Sequence, residues 1–158
     1  DFGLSGRESP EQLNADKVLK KRLESIRLQI GPKMNLGDVA DKAVPKMCLV
    51  SPAERGGLIS TRTFIPHKCH SAVGVLGAVS AATACILPGS VAFDLVDVPA
   101  GDVKQISVEH PSGEFSISLD VDESAAIPRI RKAGVLRTAR LLSRGVLYVP
   151  NSNKRGKP

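Results

Sequence analysis

Residues 70–87 constrain this chain more than any other stretch. They read HSAVGVLGAVSAATACIL and are closed by Pro88-Gly89. The run has the length of a helix, and apolar side chains fall on every side of it at 3.6 residues per turn. A helix without a polar face is enclosed by protein. The other segments read mostly as strands, so the expected surroundings are a sheet curled around one central helix. The run is marginal in length and poor in Leu and Ile for a bilayer span, so no membrane association is expected.

The flanking segments supply that sheet. Residues 43–51 read as a buried strand, with Cys48 as an inert core thiol. Residues 58–65 alternate so that Arg62 shares a face with Phe64. Residues 90–98 read as a further strand. The clearest hairpin joins 102–111 to 113–122: Ile106 and Val108 alternate on one arm, and Phe115, Ile117, Leu119 and Val121 on the other, around Pro111-Ser112-Gly113. A strand over 129–136, a short helix over 138–143 and a last strand over 146–149 complete the pattern. Ahead of the sheet, Ser9-Pro10-Glu11-Gln12 has capping-box spacing, and Asn14 offers a second helix start. Leu19, Leu23, Ile26 and Ile30 then recur at helical spacing until Gly31-Pro32 stops the run. The fold class is α+β, a mostly antiparallel sheet wrapped around a buried central helix.

Charge and cysteine content narrow the function. The 158 residues carry 22 Lys+Arg against 16 Asp+Glu, a formal net charge of +6. Such a surface attracts anions from nucleic acids to small carboxylates. The cations are spread along the chain and aromatics are few, which argues against nucleic acid. Cys48, Cys69 and Cys85 form no C-x-x-C pair. An odd count without a visible secretory segment predicts free thiols in a reducing cytoplasm. His67, Cys69 and His70 are too crowded for a usual zinc half-site, so no metal is expected.

The residues entering the long helix carry the candidate chemistry. A helix N-terminus binds anions because its first N–H groups lack partners and the macrodipole is positive there. Arg62 can clamp a carboxylate with its planar fork. Lys68, the Ser71 hydroxyl and the amides from Ser71 through Ala72 to Val73 can hold another. Cys69 at such a mouth, flanked by Lys68, His67 and His70, is expected to have a lowered pKa and to serve as a general base. Each of these residues taken alone also fits a structural role; only their cluster points to a site.

The stretches DFGLSGRESPEQLN, LESIR, GGLISTRTFIPHKCHSAVGVLGAVSAATACILPGSVA and VLRTARLLSRGVLYVP together resemble the PrpF-type isomerases, over nearly the whole chain. That group includes methylaconitate isomerase, aconitate Δ-isomerase and 4-oxalomesaconate tautomerase, and TRTFIPHKCH is most similar to the last branch. The resemblance implies a diaminopimelate epimerase-like fold, with two similar halves and the active site between them. This chain corresponds to the second half: residues 1–12 a linker from a missing N-terminal half, 13–150 the half-domain, 151–158 a disordered basic tail. It implies movement of a proton between allylic carbons of a di- or tricarboxylate, without cofactor. The lysine and cysteine regarded as catalytic in the methylaconitate type lie in the first half. Cys69 falls where epimerase relatives place a second cysteine, although their Ala-Cys-Gly pattern is replaced here by Lys68-Cys69-His70-Ser71.

The first expectation is therefore half of a cofactor-independent isomerase, with Cys69, His67 and His70 as proton carriers and Arg62, Lys68, Ser71 and Ala72 as carboxylate ligands. Its partners would be the small carboxylate and the N-terminal half of the same protein, with self-association a further expectation. The alternative is a carboxylate-binding or regulatory domain without an acid–base pair. A nucleic-acid-binding module is the third and weakest reading.

Overall fold

The computed structural model describes residues 2–149. The expected tail 151–158 lies outside the described residues.

The capping box forms as the spacing predicts. Ser9 Oγ accepts from the Gln12 amide at 3.3 Å, and the Gln12 side chain accepts from the Ser9 amide at 2.7 Å. With Pro10 at the first position this starts α1, Pro10–Ala15. Asp16 then ends α1 and begins α2, Lys17–Lys33, its carboxylate accepting from the Leu19 amide at 2.9 Å. The expected stop at Gly31-Pro32 does not occur; the helix runs to Lys33. Gly31 serves close approach instead, because a Cβ there would meet the Val39 methyls at 2.5 and 2.7 Å.

The buried stripe of α2 also differs from expectation. It is Leu19, Leu23, Arg27 and Gly31, while Ile26 and Ile30 are exposed. Arg27 is wholly buried because every direction of its guanidinium is satisfied. It meets both Glu24 oxygens at 2.7 and 2.8 Å and the carbonyls of Val39, Lys42 and Val44 at 2.7–2.9 Å. A charge pays for burial only when so fully partnered.

Five strands follow: β1 Met47–Pro52, β2 Ile59–Phe64, β3 Val103–His110, β4 Gly113–Asp122 and β5 Arg129–Val135. They lie in the order β1-β2-β3-β4-β5, antiparallel throughout except for the short parallel pairing of β2 with β3. A parallel neighbour requires a crossover, and α3, Val75–Ile86, provides it. The α+β class and mostly antiparallel sheet agree with the sequence pattern.

The helix is shorter and less enclosed than expected. Its buried side is Ala78, Ala81, Ala82, Cys85 and Ile86, packed with Ile59, Ile106, Val108, Ile117 and Leu119. Val75 and Leu76 on the other side are exposed, Leu76 by 82%. Strands β2 to β5 cover one face of α3 and do not close around it. The helix cannot begin at residue 70, because Cys69 forms a β-bridge with Phe64 and the His70 amide donates to the Thr63 carbonyl.

Three more expectations are corrected. Residues 90–98 hold a single 3-10 turn, Phe93–Leu95, since Ser90 draws the Ala92 and Phe93 amides to itself. Residues 138–143 and 146–149 form neither helix nor strand and are exposed. Cys48 is exposed on β1, an edge strand, where the reading as a core thiol required burial. A second small core of Leu13, Leu19, Leu23, Phe64 and Cys69 fastens α1 and α2 to β2, with Phe2 and Leu4 against it.

Candidate functional site

The loop between β2 and α3 is built as a short hairpin followed by a free approach to the helix. The Ile65 amide donates to the Lys68 carbonyl at 3.0 Å, turning the chain through Pro66 and His67. Asn14 then fixes Cys69 from both sides: its Oδ1 accepts from the Cys69 amide at 2.7 Å, and its Nδ2 donates to the Cys69 carbonyl at 3.1 Å. Two residues on, the turn of the β3–β4 hairpin takes hold. Ser112 donates to the Ser71 carbonyl from its amide at 3.0 Å and from Oγ at 2.7 Å. Because that hydroxyl proton is committed, the 3.2 Å contact with His110 Nδ1 is a donation from the imidazole to Ser112 Oγ. Burial and the Arg55 charge push the His110 pKa below its ordinary value.

Past these clamps the chain is open. Ser71, Ala72 and Gly74 are exposed, and no side chain caps the first turn of α3. The amides of Val75, Leu76 and Gly77 have no acceptor within the helix. Lys68 and His70 are also exposed, in the loop seven and five residues ahead of α3. The result is a rigidly seated loop ending in unspent donors, an arrangement suited to a carboxylate.

The seven candidate residues do not form one cluster. Lys68, His70, Ser71 and Ala72 share the approach to α3. His67 instead turns toward α2, where its Nδ1 lies 3.4 Å from a Glu24 oxygen. Cys69 is only 2% exposed, enclosed by Leu13, Leu19, Leu23 and Phe64 and six residues short of the first helical turn. Burial pushes its thiol above the usual range, and the attraction of the Arg62 charge does not offset that. The expected lowered pKa is thus reversed, because the thiol faces the second core and not the helix mouth. Arg62 opens into a different cavity, of about 350 Å³, whose lining contains none of residues 65–76.

The part that Asn14, Ser112 and His110 play in holding this loop is not legible in the sequence. Asn14 reads as a helix start and Ser112 as a turn residue; their contacts reach across 55 and 41 positions, which no local pattern records. Among the described residues no group of three or more His, Cys, Asp or Glu is placed to hold a metal ion, and no helix is long and apolar enough to cross a membrane.

Comparison with known proteins gives a consistent result. Residues 1–150 match the family described as PrpF protein. The 4-oxalomesaconate tautomerase of Pseudomonas putida is 52% identical over 149 residues, covering 94% of this chain and 40% of that protein. The (4E)-oxalomesaconate Delta-isomerase of Novosphingobium sp. is 50% identical, covering 94% and 41%. The 2-methyl-aconitate isomerase of Shewanella oneidensis is 27% identical, covering 95% and 42%. In fold the chain resembles the crystal structure of methylitaconate-delta-isomerase, with a TM-score of 0.63 at 19% identity, over 86% of this chain and 42% of that one. The chain spans about two-fifths of the length of these relatives.

Proposed function

Since this chain belongs to the PrpF family, we propose that it supplies the carboxylate-holding wall of an isomerase acting on an unsaturated di- or tricarboxylate of the 4-oxalomesaconate or aconitate type. The observation that carries this is the uncapped first turn of α3, reached by a loop that Asn14 and Ser112 hold at Cys69 and Ser71 and that exposes Lys68, His70 and Ser71. Removing a proton from an allylic carbon spreads negative charge through the double bond into the attached carboxylate. Donors fixed before the reaction stabilise that charge without reorganising. The amides of α3 and the Lys68 ammonium fill this role, with the Ser71 hydroxyl and the Ala72 backbone orienting the carboxylate. Returning the proton at the far allylic carbon completes the double-bond shift, and no electron carrier is needed.

In this reading the exposed His70 is the proton-active side chain at the mouth, and Cys69 and His67 support the loop. The remaining three-fifths of the relatives' length would supply the opposing wall, in a diaminopimelate epimerase-like pairing of two halves within a cytoplasmic protein. Cofactor independence belongs to the same proposal.

The test is amide-shift titration of this chain with cis-aconitate, alongside an ultraviolet assay of turnover. Shifts centred on residues 71–77 without turnover are expected. Robust turnover by the chain alone would overturn the half-site reading, and silent α3 amides would overturn the carboxylate site. The burial of Cys69 also favours a second reading, a binding domain without acid–base chemistry. His70→Gln in the complete family protein separates the two: an unchanged rate supports binding alone.

A further inference from the structure

We propose that the groove around Arg62 is a second ligand site, separate from the α3 mouth, for a carboxylate carrying an apolar body.

The argument starts from the charge on Arg62. This side chain is half-buried, and three neutral groups hold it in place. Nε donates to the Glu8 carbonyl at 2.9 Å, and Nη1 donates to Ser60 Oγ and the Thr61 carbonyl, both at 3.1 Å. Nη2 makes no hydrogen bond, and no carboxylate lies within ion-pair distance of Arg62, among the described residues. One acid, Glu8, lines the same cavity. Its carboxylate is turned to Ser5, accepting from the amide and hydroxyl at 2.7 and 2.9 Å. Contrast Arg27, whose deeper burial is matched by the Glu24 carboxylate. A partly desolvated guanidinium without a counter-charge is unfavourable, and a carboxylate is the group its planar fork fits.

The walls specify the rest of the ligand. They are formed largely by Leu4, Leu13, Leu49, Val91 and Leu95, around a cavity of about 350 Å³. That volume is at the lower end of the range for small-molecule sites, which are mostly apolar with a few fixed polar groups. A polar tricarboxylate would leave charged oxygens against these side chains. A monocarboxylate with a hydrocarbon body meets both the walls and the unspent Nη2 donors. Since the guanidinium is already held by three partners, little freedom is lost when the ligand enters.

Cys48 lines the same cavity and is the exposed one of the three cysteines, Cys69 and Cys85 being buried. It reports on occupancy. The probe is octanoate, with 1-octanol as its uncharged counterpart and cis-aconitate as a carboxylate without the hydrocarbon. Octanoate should slow alkylation of Cys48 several-fold at saturation and shift the amides of residues 49–51, while the other two compounds leave both unchanged. Arg62→Gln should weaken octanoate binding about ten-fold or more, as loss of a charged hydrogen bond predicts. Because Arg62 also anchors Glu8, Val91→Trp serves as a second variant that fills the groove from an exposed rim position, and it too should abolish protection. The proposal is overturned if octanoate gives no protection, if octanol protects equally, if cis-aconitate protects better, or if protection survives Val91→Trp or a folded Arg62→Gln.

Discussion

The β3–β4 hairpin and residues 136–149 are built from similar apolar side chains and end in opposite environments. In the hairpin, Ile106, Ile117, Leu119 and Val121 are at most 1% exposed. In the arm after β5, Leu141, Leu142 and Leu147 are exposed by 76, 81 and 91%. The hairpin strands pair through eight consecutive positions, and α3 lies across their inner face. The arm leaves β5 at the sheet edge. Its first residues keep two contacts, the Leu136 amide to the Ser116 carbonyl and the Arg137 guanidinium over the Phe115 ring. Apolar composition creates a demand for burial, but a paired strand and an opposing layer are needed to meet it.

The largest test of this contrast is Ile117→Asp. An unpaired carboxylate at a fully buried position should cost about 4 kcal/mol or more, read as loss of a cooperative thermal transition. Retention of a native-like transition would show that the hairpin core is looser than its burial implies.

Glu109→Ala comes next. The Glu109 carboxylate lies at the end of β3 and accepts the amides of Glu54, Arg55 and Gly57 at 2.7–3.0 Å, closing the loop between β1 and β2. Truncation strands these donors and should cost about 3 kcal/mol in denaturant unfolding. The same group predicts a pH dependence. Burial alone would raise its pKa, but the three amides and the Arg55 charge outweigh it and hold the carboxyl below the ordinary 4.5. A depressed folded pKa stabilises above the unfolded value and is lost as pH falls through the folded one. Stability should therefore decline below about pH 4.5, and Glu109→Gln should flatten that decline.

Asn14→Ala removes the paired hydrogen bonds on Cys69 and should cost about 1–2 kcal/mol. Faster hydrogen exchange should be confined to the Cys69 and His70 amides. If exchange rises evenly through the sheet, the loop is not separately clamped. The smallest effect belongs to the arm: Leu142→Asp should alter stability by no more than about 0.5 kcal/mol, and a loss comparable to that of Ile117→Asp would remove the contrast altogether.

What could be read from the sequence was local. The capping box at Ser9, the alternation of the hairpin and the Pro88-Gly89 closure of the long helix each depend on residues a few positions apart, and each formed. The resemblance to PrpF-type isomerases rested on contiguous motifs, and the family match bears it out. The start of α3 was misplaced because a bridge between Phe64 and Cys69 competes for the backbone that helical propensity would claim. Arg27 replaced Ile26 and Ile30 in the core because carbonyls from a later loop met its guanidinium, and Cys69 lost its expected acidity because α1 and α2 fold over it. Propensity, capping and alternation act within a turn or two of chain and are therefore written in the sequence. Burial, counter-charge and pKa are set by whichever distant groups arrive, and only the tertiary structure decided those.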